Sequence, residues 1–264
     1  MPLLLKTGSE GQEVIRLQAR LGGIGVDGTF GPLTEACVKE YQTAQGLQAD
    51  GVAGWNTQVA LGMPVRSGID ISHYQGTVDW AKVPRDTVQF VYAKATEGTD
   101  LVDSQYFNNS AGCAKARIPF GSYHFAHPQN DWRKDLDNFC KTVGFLNPTD
   151  LPPALDLEAT GGLGAADLRN WAQNWLQGCQ DRLGRQPVLY SSASFLTGQL
   201  GGCNGLGAYC TVWVAKWSGS TLAEPAVPAT WPQWAFWQYS SKGQVAGISG
   251  DVDLDYAAGD AIWP

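Results

Sequence analysis

The strongest constraint on the fold is an alternation of short apolar, β-branched runs with amphipathic stretches, which begins at Ser67. Such alternation favours parallel strands flanked by helices. The first five runs are each followed by a helical stretch or turn, whereas the last three have only short connections. This pattern predicts an irregular α/β fold, a (β/α) barrel of about eight strands whose last strands lack regular helices. The predicted strands cover residues 68–72, 88–95, 120–126, 154–158, 187–191, 212–217, 235–239 and 252–256, and the predicted helices cover 103–116, 132–145, 165–182 and a short segment near Ser194.

The sequence before this alternation contains an internal repeat. Residues 27–34 and residues 50–57 both read Asp-Gly-x-x-Gly-x-x-Thr, and each copy follows a stretch with helical periodicity. Asp-Gly pairs are typical of turns, so the favoured interpretation of each loop residue is structural. We therefore predict a small all-α domain over residues 1–62, a linker over 63–67 and the barrel over 68–264.

Composition excludes several classes of protein. The chain has 18 Lys and Arg against 25 Asp and Glu, a formal net charge of −7, which argues against a nucleic-acid partner. No stretch reaches the roughly 20 apolar residues of a membrane span. The leucine run at Leu3–Leu5 is too short for a signal peptide, so no export signal is expected. The 11 Trp indicate either sugar-stacking platforms or an aromatic core.

The cysteines and histidines do not predict a metal site. The six cysteines include no Cys-x-x-Cys pair, and the three histidines lie in separate segments without metal-ligand spacing. We therefore expect no metal and no cofactor. Cys203 and Cys210 flank a glycine-rich loop and are the best candidates for a disulfide, with reduced thiols as the alternative.

Four acidic residues lie at the ends of predicted strands, where a barrel of this kind carries its active site. They are Asp70, Asp156, Glu158 and Asp253. Asp156 and Glu158 are two residues apart on one strand, so both side chains are expected to point into the barrel. Neighbouring carboxylates oppose each other's ionisation, and the negative charge of Asp156 is expected to keep a proton on Glu158. A retained proton beside further carboxylates is what glycoside hydrolysis requires.

The N-terminal segment resembles a peptidoglycan-binding domain of the small three-helix type. This resemblance implies binding to the bacterial cell wall, without assigning a contact residue. The matching features are Leu5-x-x-Gly8-Ser9-x-Gly11, Val14-x-x-Leu17-Gln18, Tyr41-Gln42, Gly46-Leu47 and the two Asp-Gly loops.

The second segment contains seven short motifs in order along the chain. They are Asp70-x-Ser72-x-x-Gln75, Phe90-Val91-Tyr92-Ala93-Lys94-Ala95-Thr96-Glu97-Gly98, Gly121-x-Tyr123-His124-Phe125, Asp156-Leu157-Glu158, Trp213-x-Ala215-x-Trp217, Trp237-Gln238-Tyr239 and Val252-Asp253-Leu254-Asp255. With these motifs the segment resembles glycoside hydrolase family 25, the Chalaropsis-type lysozymes. The resemblance implies a muramidase that cleaves the β-1,4 bond between N-acetylmuramic acid and N-acetylglucosamine.

The resemblance also implies roles for the acidic residues. Glu158 takes the place of the general acid, and Asp70, Asp156 and Asp253 take those of supporting carboxylates. Asp255 stands where the family commonly has Asn, which adds a charge. Two mechanisms stay open: an Asp nucleophile, or attack by the substrate's own 2-acetamido group with Asp156 as the assisting carboxylate.

Four further residues are candidates for substrate binding. Tyr123 and Tyr190 lie on predicted strands and could bond the acetamido group or a carboxylate, although core packing explains them equally well. Trp217 and Gln238 lie late on their strands, where side chains line the cleft.

The leading hypothesis is a monomeric, modular lysozyme that resembles a phage endolysin. Such an enzyme would accumulate in the host cytoplasm and reach its substrate, peptidoglycan, with the help of a holin. Secretion is the alternative for its location. The alternatives for its function are a catalytically silent wall-binding protein and a different glycan specificity on the same barrel.

Overall fold

A computed structural model describes residues 5–63, 66–217 and 225–258. The chain divides into two compact units, one made mainly of the residues before Arg66 and the other of the residues from Arg66 onward. Among the residues described, no helix combines the length and the apolar character needed to cross a membrane.

The N-terminal unit contains three helices: α1 (Gln12–Leu21), α2 (Pro32–Ala44) and α3 (Trp55–Ala60). The two stretches with helical periodicity in the sequence, residues 12–21 and 34–44, correspond to α1 and α2, and α2 begins two residues earlier because Pro32 suits the first turn of a helix. The helices bury one apolar core, formed by Leu5, Val14, Leu17, Phe30, Val38, Ala53, Leu61 and Met63.

The repeated Asp-Gly loops are each anchored by a buried glutamine from the preceding helix. In the first loop, Gln18 Oε1 accepts from Gly28 N at 2.9 Å, and Gln18 Nε2 donates to Asp27 Oδ1 at 2.8 Å. In the second loop, Gln42 makes the equivalent bonds to Gly51 and Asp50, both at 2.9 Å. Each Nε2 also bonds the threonine that ends the repeat, at 3.2 Å and 3.0 Å. The interpretation of the loops as fold-shaping elements is therefore confirmed.

Replacing either glutamine with Ala is expected to destabilise the N-terminal unit by about 2–4 kcal/mol, because the buried loop groups lose their partners. We expect faster amide hydrogen exchange in α1 and α2 of the full-length Gln18→Ala and Gln42→Ala proteins. Gln48→Ala, at an exposed position, is the control and leaves exchange unchanged. Native protection in both glutamine variants would show that the loops hold their shape without these side chains.

The second unit is a closed barrel of eight strands with one additional strand. The ring order is β1-β9-β8-β7-β6-β5-β4-β2, closed by pairing of β1 with β2, while β3 pairs only with β2. The predicted barrel is confirmed. The strands are β1 (Arg66–Ile71), β2 (Val91–Glu97), β3 (Leu101–Val102), β4 (Phe120–Phe125), β5 (Ala154–Asp156), β6 (Val188–Ser192), β7 (Thr211–Ala215), β8 (Phe236–Gly243) and β9 (Val252–Ala257).

Helices follow the strands of the first half of the barrel, as predicted. A 3₁₀ turn, His73–Gln75, follows β1, and no helix lies between β7, β8 and β9 in the described residues. The first barrel helix begins at residue 106 rather than 103, because Asp103 instead accepts a bond from Gln105 N at 2.9 Å. The helices are α4 (Tyr106–Ala116), α5 (Trp132–Val143), α6 (Ala165–Leu183) and α7 (Ala193–Thr197).

The direction of β9 was not anticipated from the sequence. It runs antiparallel to both of its neighbours, β1 and β8, whereas the other neighbouring ring strands pair in parallel. The first residues of β9 therefore lie at the rim where the parallel strands end. In this register Asp253 is the partner of Asp70.

Most of the described tryptophans belong to cores rather than to a binding surface. Trp213 packs inside the barrel against Tyr92 and Tyr190, with ring centroids 4.8 Å apart in both pairs. Trp171 and Trp175 are buried on α6. Trp217, by contrast, is 62% exposed. The aromatic-core interpretation therefore accounts for most of this group, and Trp217 is left as a candidate platform.

Of the two alternatives for Cys203 and Cys210, a disulfide or reduced thiols, the structure has reduced thiols. Both are free, buried thiols. The Cys203 Sγ donates to Leu196 O at 3.2 Å, and the Cys210 Sγ donates to Leu206 O at 3.4 Å. Each thiol thus donates a hydrogen bond to a nearby backbone carbonyl. Burial raises the pKa of Cys203 to about 12.

Candidate active site

All eight residues predicted for the site line one cavity of about 250 Å³ at the rim where the parallel strands end. The barrel brings them together from six strands and from the segments that follow β5 and β7. They are Asp70, Tyr123, Asp156, Glu158, Tyr190, Trp217, Gln238 and Asp253.

Asp156 and Glu158 lie at different depths. Asp156 is the last residue of β5 and is buried, whereas Glu158 lies beyond the strand and is exposed. The prediction that Glu158 belongs to the strand is therefore wrong. The intervening Leu157 is nevertheless tied to β6, because its N donates to Tyr190 O at 3.0 Å and its O accepts from Ser191 Oγ at 2.6 Å. These bonds hold Glu158 over the cleft.

The carboxyls of Asp156 and Glu158 lie side by side and interact. Asp156 Oδ1 is buried and has no hydrogen-bond donor in the described part of the chain, so a proton shared with Glu158 would satisfy it. Burial raises the pKa of Asp156 well above its ordinary value, and the charges of Glu158 and Asp70 raise it further. Which of the two carboxyls carries the shared proton stays a prediction, with Glu158 as the expected holder.

Asp70 and Asp253 form the second acidic pair, across β1 and β9. Gln238 Nε2 donates to Asp70 Oδ2 at 2.7 Å. Burial, followed by the charge of Asp253, raises the pKa of Asp70 well above its ordinary value. Burial also raises the pKa of Asp253 to about 6, with Glu158 and Asp251 adding to the shift. The cleft therefore gains negative charge stepwise as the pH rises through the weakly acidic range.

Gln238 connects three of the predicted residues. Its Oε1 accepts from Tyr190 Oη and from Trp217 Nε1, both at 2.9 Å. Because an indole N–H can only donate, the Trp217 bond fixes the orientation of the amide, whose Nε2 then faces Asp70. The exposed Trp217 ring is thereby held at the edge of the cleft. Tyr123, on β4 across the ring from β8, is half-buried. Burial raises the pKa of its hydroxyl, and the charges of Asp70, Asp156 and Asp253 raise it further.

Tyr74 also lines the cleft and is 82% exposed. It was not among the site residues predicted from the sequence. Ser72 and Gln75 form a capping box around the 3₁₀ turn that presents Tyr74 to solvent. Gln75 Nε2 also donates to Asp251 O at 3.0 Å, which ties this turn to the loop before β9. The Ser72-x-x-Gln75 spacing was a signal for this turn.

The histidines lie outside the group of cleft carboxyls. His124 is buried in the protein interior, stacked on Trp175 with centroids 5.5 Å apart, and burial lowers its pKa. His127 Nε2 contacts Glu97 Oε1 at 3.0 Å, and Glu97 also pairs with the buried Lys94. In the described parts of the chain, no three His, Cys, Asp or Glu side chains are grouped to hold a metal ion.

Comparisons with known proteins agree with this geometry. Residues 69–248 match the family model "Glycosyl hydrolases family 25", and residues 10–61 match that of a peptidoglycan binding domain. Lysozyme M1 of Streptomyces globisporus is 36% identical over 203 residues, which span 74% of this chain and 68% of that protein.

Solved structures show the same similarity. The bacterial lysozyme from Streptomyces coelicolor superposes with a TM-score of 0.70 at 36% identity, over 74% of this chain and 93% of that one. The catalytic domain of endolysin ply40, from bacteriophage P40 of Listeria monocytogenes, superposes with a TM-score of 0.60 at 25% identity, over 75% of this chain and 96% of that one.

Proposed function

Because the chain belongs to family 25 of the glycosyl hydrolases, we propose that it is an N-acetylmuramidase. In this proposal it cleaves the β-1,4 linkage between N-acetylmuramic acid and N-acetylglucosamine in peptidoglycan. The observation that carries this proposal is the interacting carboxyl pair of Asp156 and Glu158, set in a cleft with exposed aromatic side chains. The similarity to lysozymes supports the choice of substrate.

In the proposed mechanism Glu158 is the general acid, because it is the exposed member of the pair and can reach the glycosidic oxygen. Asp156 yields the shared proton to Glu158, which donates it to the glycosidic oxygen, and the Asp156 carboxylate then supports the positive charge that develops on the sugar ring. Asp70 and Asp253 contribute further negative potential from the side of the cleft opposite Asp156 and Glu158. Either a nucleophilic aspartate or the substrate's acetamido group could then attack the anomeric carbon.

The proposed binding surface consists of the aromatic and amide groups around these acids. The Trp217 ring offers a face on which a sugar can stack. Tyr123 is placed to bond the acetamido group. Tyr190 and Gln238, which bond each other, would hold Trp217 and Asp70 in position for the substrate.

Digestion of purified peptidoglycan tests the reaction. We expect the released glycans to end in reducing N-acetylmuramic acid, detected as its alcohol after borohydride reduction and acid hydrolysis. Reducing N-acetylglucosamine ends would indicate a different glycan specificity. Binding to walls without any new reducing ends would indicate the catalytically silent alternative.

We also propose that the N-terminal unit binds the cell wall, supported by its match to a peptidoglycan binding domain. Removing residues 1–65 is expected to weaken sedimentation with intact walls while sparing hydrolysis of short soluble glycans. Sedimentation equal to that of the full chain would place wall binding in the barrel.

Finally, we propose the biological setting of a phage endolysin, for which the similarity to ply40 is the support. Such an enzyme accumulates in the host cytoplasm and uses a holin to reach the wall; secretion is the alternative location. A monomer is proposed because one chain supplies all the cleft residues described. Co-expression with and without a holin in a bacterial host tests this setting, since lysis should require the holin.

A further inference from the structure

Asp255 is a buried carboxyl beneath the cleft that the proposed mechanism does not use. It lies two residues after Asp253 on β9, faces the barrel interior and has 0% exposure. Its Oδ1 accepts from Trp213 Nε1 at 2.9 Å. Its Oδ2 is also buried, and no conventional donor in the described part of the chain reaches it. A buried carboxylate oxygen without a donor is energetically costly.

The group that faces Asp255 is another carboxyl, that of Asp70 on β1. The register pairs Gly68 with Asp255 and Asp70 with Asp253, so the side chains of Asp70 and Asp255 are diagonal neighbours on the interior face, within reach of a hydrogen bond. Two carboxyls can form such a bond only when one of them carries a proton and donates it.

Each of the two carboxyls already accepts one hydrogen bond. Trp217 turns the amide of Gln238 so that its Nε2 donates to Asp70 Oδ2, and Trp213 Nε1 donates to Asp255 Oδ1. Asp255 is fully buried and its Oδ2 has no donor among the described residues, whereas Asp70 opens onto the cleft. Because ionisation costs more at the deeper carboxyl with an unsatisfied oxygen, the proton belongs on Asp255 Oδ2.

The surroundings of Asp255 also favour its neutral form. Burial raises its pKa well above the ordinary value, and the charges of Asp70 on β1 and Asp253 on its own strand raise it further, while the bond from Trp213 on β7 opposes this. Two phenols also interact with Asp255, Tyr92 on β2 and Tyr239 on β8, and the raised pKa of each keeps it uncharged.

We propose that Asp255 is a positioning residue, a neutral carboxylic acid whose hydroxyl holds Asp70 as an oriented carboxylate at the floor of the cleft. This role rests on the proposed function, in which Asp70 supports the reaction. Asp70 is then held by two donors, Gln238 Nε2 on one oxygen and the Asp255 hydroxyl on the other. The carboxylate faces the substrate in one orientation, with its charge stabilised.

Two substitutions separate this role from simple packing. Asp255→Asn retains a neutral group that can donate to Asp70 and accept from Trp213, so kcat is expected to stay within roughly threefold and the acidic limb of the pH–rate profile to stay in place. Asp255→Leu has similar bulk but neither function. We expect it to lower kcat roughly 10- to 100-fold. Its acidic limb should move to higher pH, because Asp70 loses a donor that favours its charged form.

The opposite protonation state gives the opposite result. If Asp255 were ionised, Asp255→Asn would remove a negative charge beside Asp70 and Asp253 and move the acidic limb to lower pH. That shift would overturn the proposal, as would an unchanged profile in a folded Asp255→Leu protein. Asp86→Asn, an exposed change before β2 at the other end of the barrel, is the control.

An infrared difference spectrum between the native protein and Asp255→Asn at neutral pH provides a measurement independent of activity. The native protein should show the carbonyl stretch of a protonated carboxyl that the variant lacks, and its absence would overturn the proposal. Because this band does not depend on turnover, it reports the protonation of Asp255 even if the protein is not a muramidase.

Discussion

Replacing Glu158 with Gln is expected to reduce the rate of peptidoglycan hydrolysis roughly 10²- to 10⁴-fold. The amide retains the shape of the side chain and its exposed position, but it has no proton to give to the glycosidic oxygen. The hydrogen bond with Asp156 can be preserved by the amide, so the cleft should retain its geometry. The release of reducing N-acetylmuramic acid ends, measured over time, gives the rate.

The matched control is Glu40→Gln, the same change at an exposed position on α2, which should hydrolyse at the parent rate. Circular dichroism and sedimentation with intact walls should be unchanged in both variants, which would separate loss of chemistry from loss of fold or binding. Near-parent hydrolysis by a folded Glu158→Gln protein would remove Glu158 from the role of general acid.

The sequence was sufficient to predict which acids meet at the site, because the carboxyl ends of parallel strands share one rim. Asp70 and Asp156 follow this rule directly. Asp253 reaches the same rim for a different reason: β9 is antiparallel, and its beginning lies where the other strands end. Short connections before this strand were visible in the sequence, but its direction depends on pairing that no local pattern encodes.

Depth within the barrel was not predictable from periodicity. Because side chains alternate along a strand, Asp253 and Asp255 lie on one face, but this alternation does not tell which of them contacts the cavity. The same holds for Asp156 and Glu158, where the end of β5 leaves one carboxyl buried and the other exposed. The residues of the pair could therefore be predicted, whereas their depth, which governs the cost of ionising each carboxyl, could not.

The anchors of the Asp-Gly loops illustrate a missed but readable signal. Gln18 lies nine residues before Asp27, and Gln42 lies eight residues before Asp50. The repeated loops and both glutamines were among the matching features, but the role of the glutamines as anchors was not predicted, because the two spacings differ by one residue. In both copies, a polar side chain lies on the buried side of the helix that precedes the Asp-Gly loop. This repeated position was the signal for the anchor.

Replacing Asp156 with Asn is expected to change both the height and the position of the pH–rate profile. Two neighbouring carboxyls hold one proton to higher pH than an isolated carboxyl, because losing it would leave two adjacent negative charges. In Asp156→Asn that opposing charge is absent, so the alkaline limb should move to lower pH by roughly one unit or more. The plateau should also fall, by roughly 10-fold or more, because the positive charge developing on the sugar loses a nearby carboxylate.

The two effects are separable, because one moves the limb and the other lowers the plateau. Asp86→Asn removes an exposed carboxyl at the other end of the barrel and should change neither. The acidic limb should change less than the alkaline limb, since Asp253, whose pKa is raised to about 6 mainly by burial, is retained. An alkaline limb that stays in place while the plateau falls would show that Asp156 acts on the substrate and not on the proton it shares with Glu158, and would favour assistance to the acetamido group.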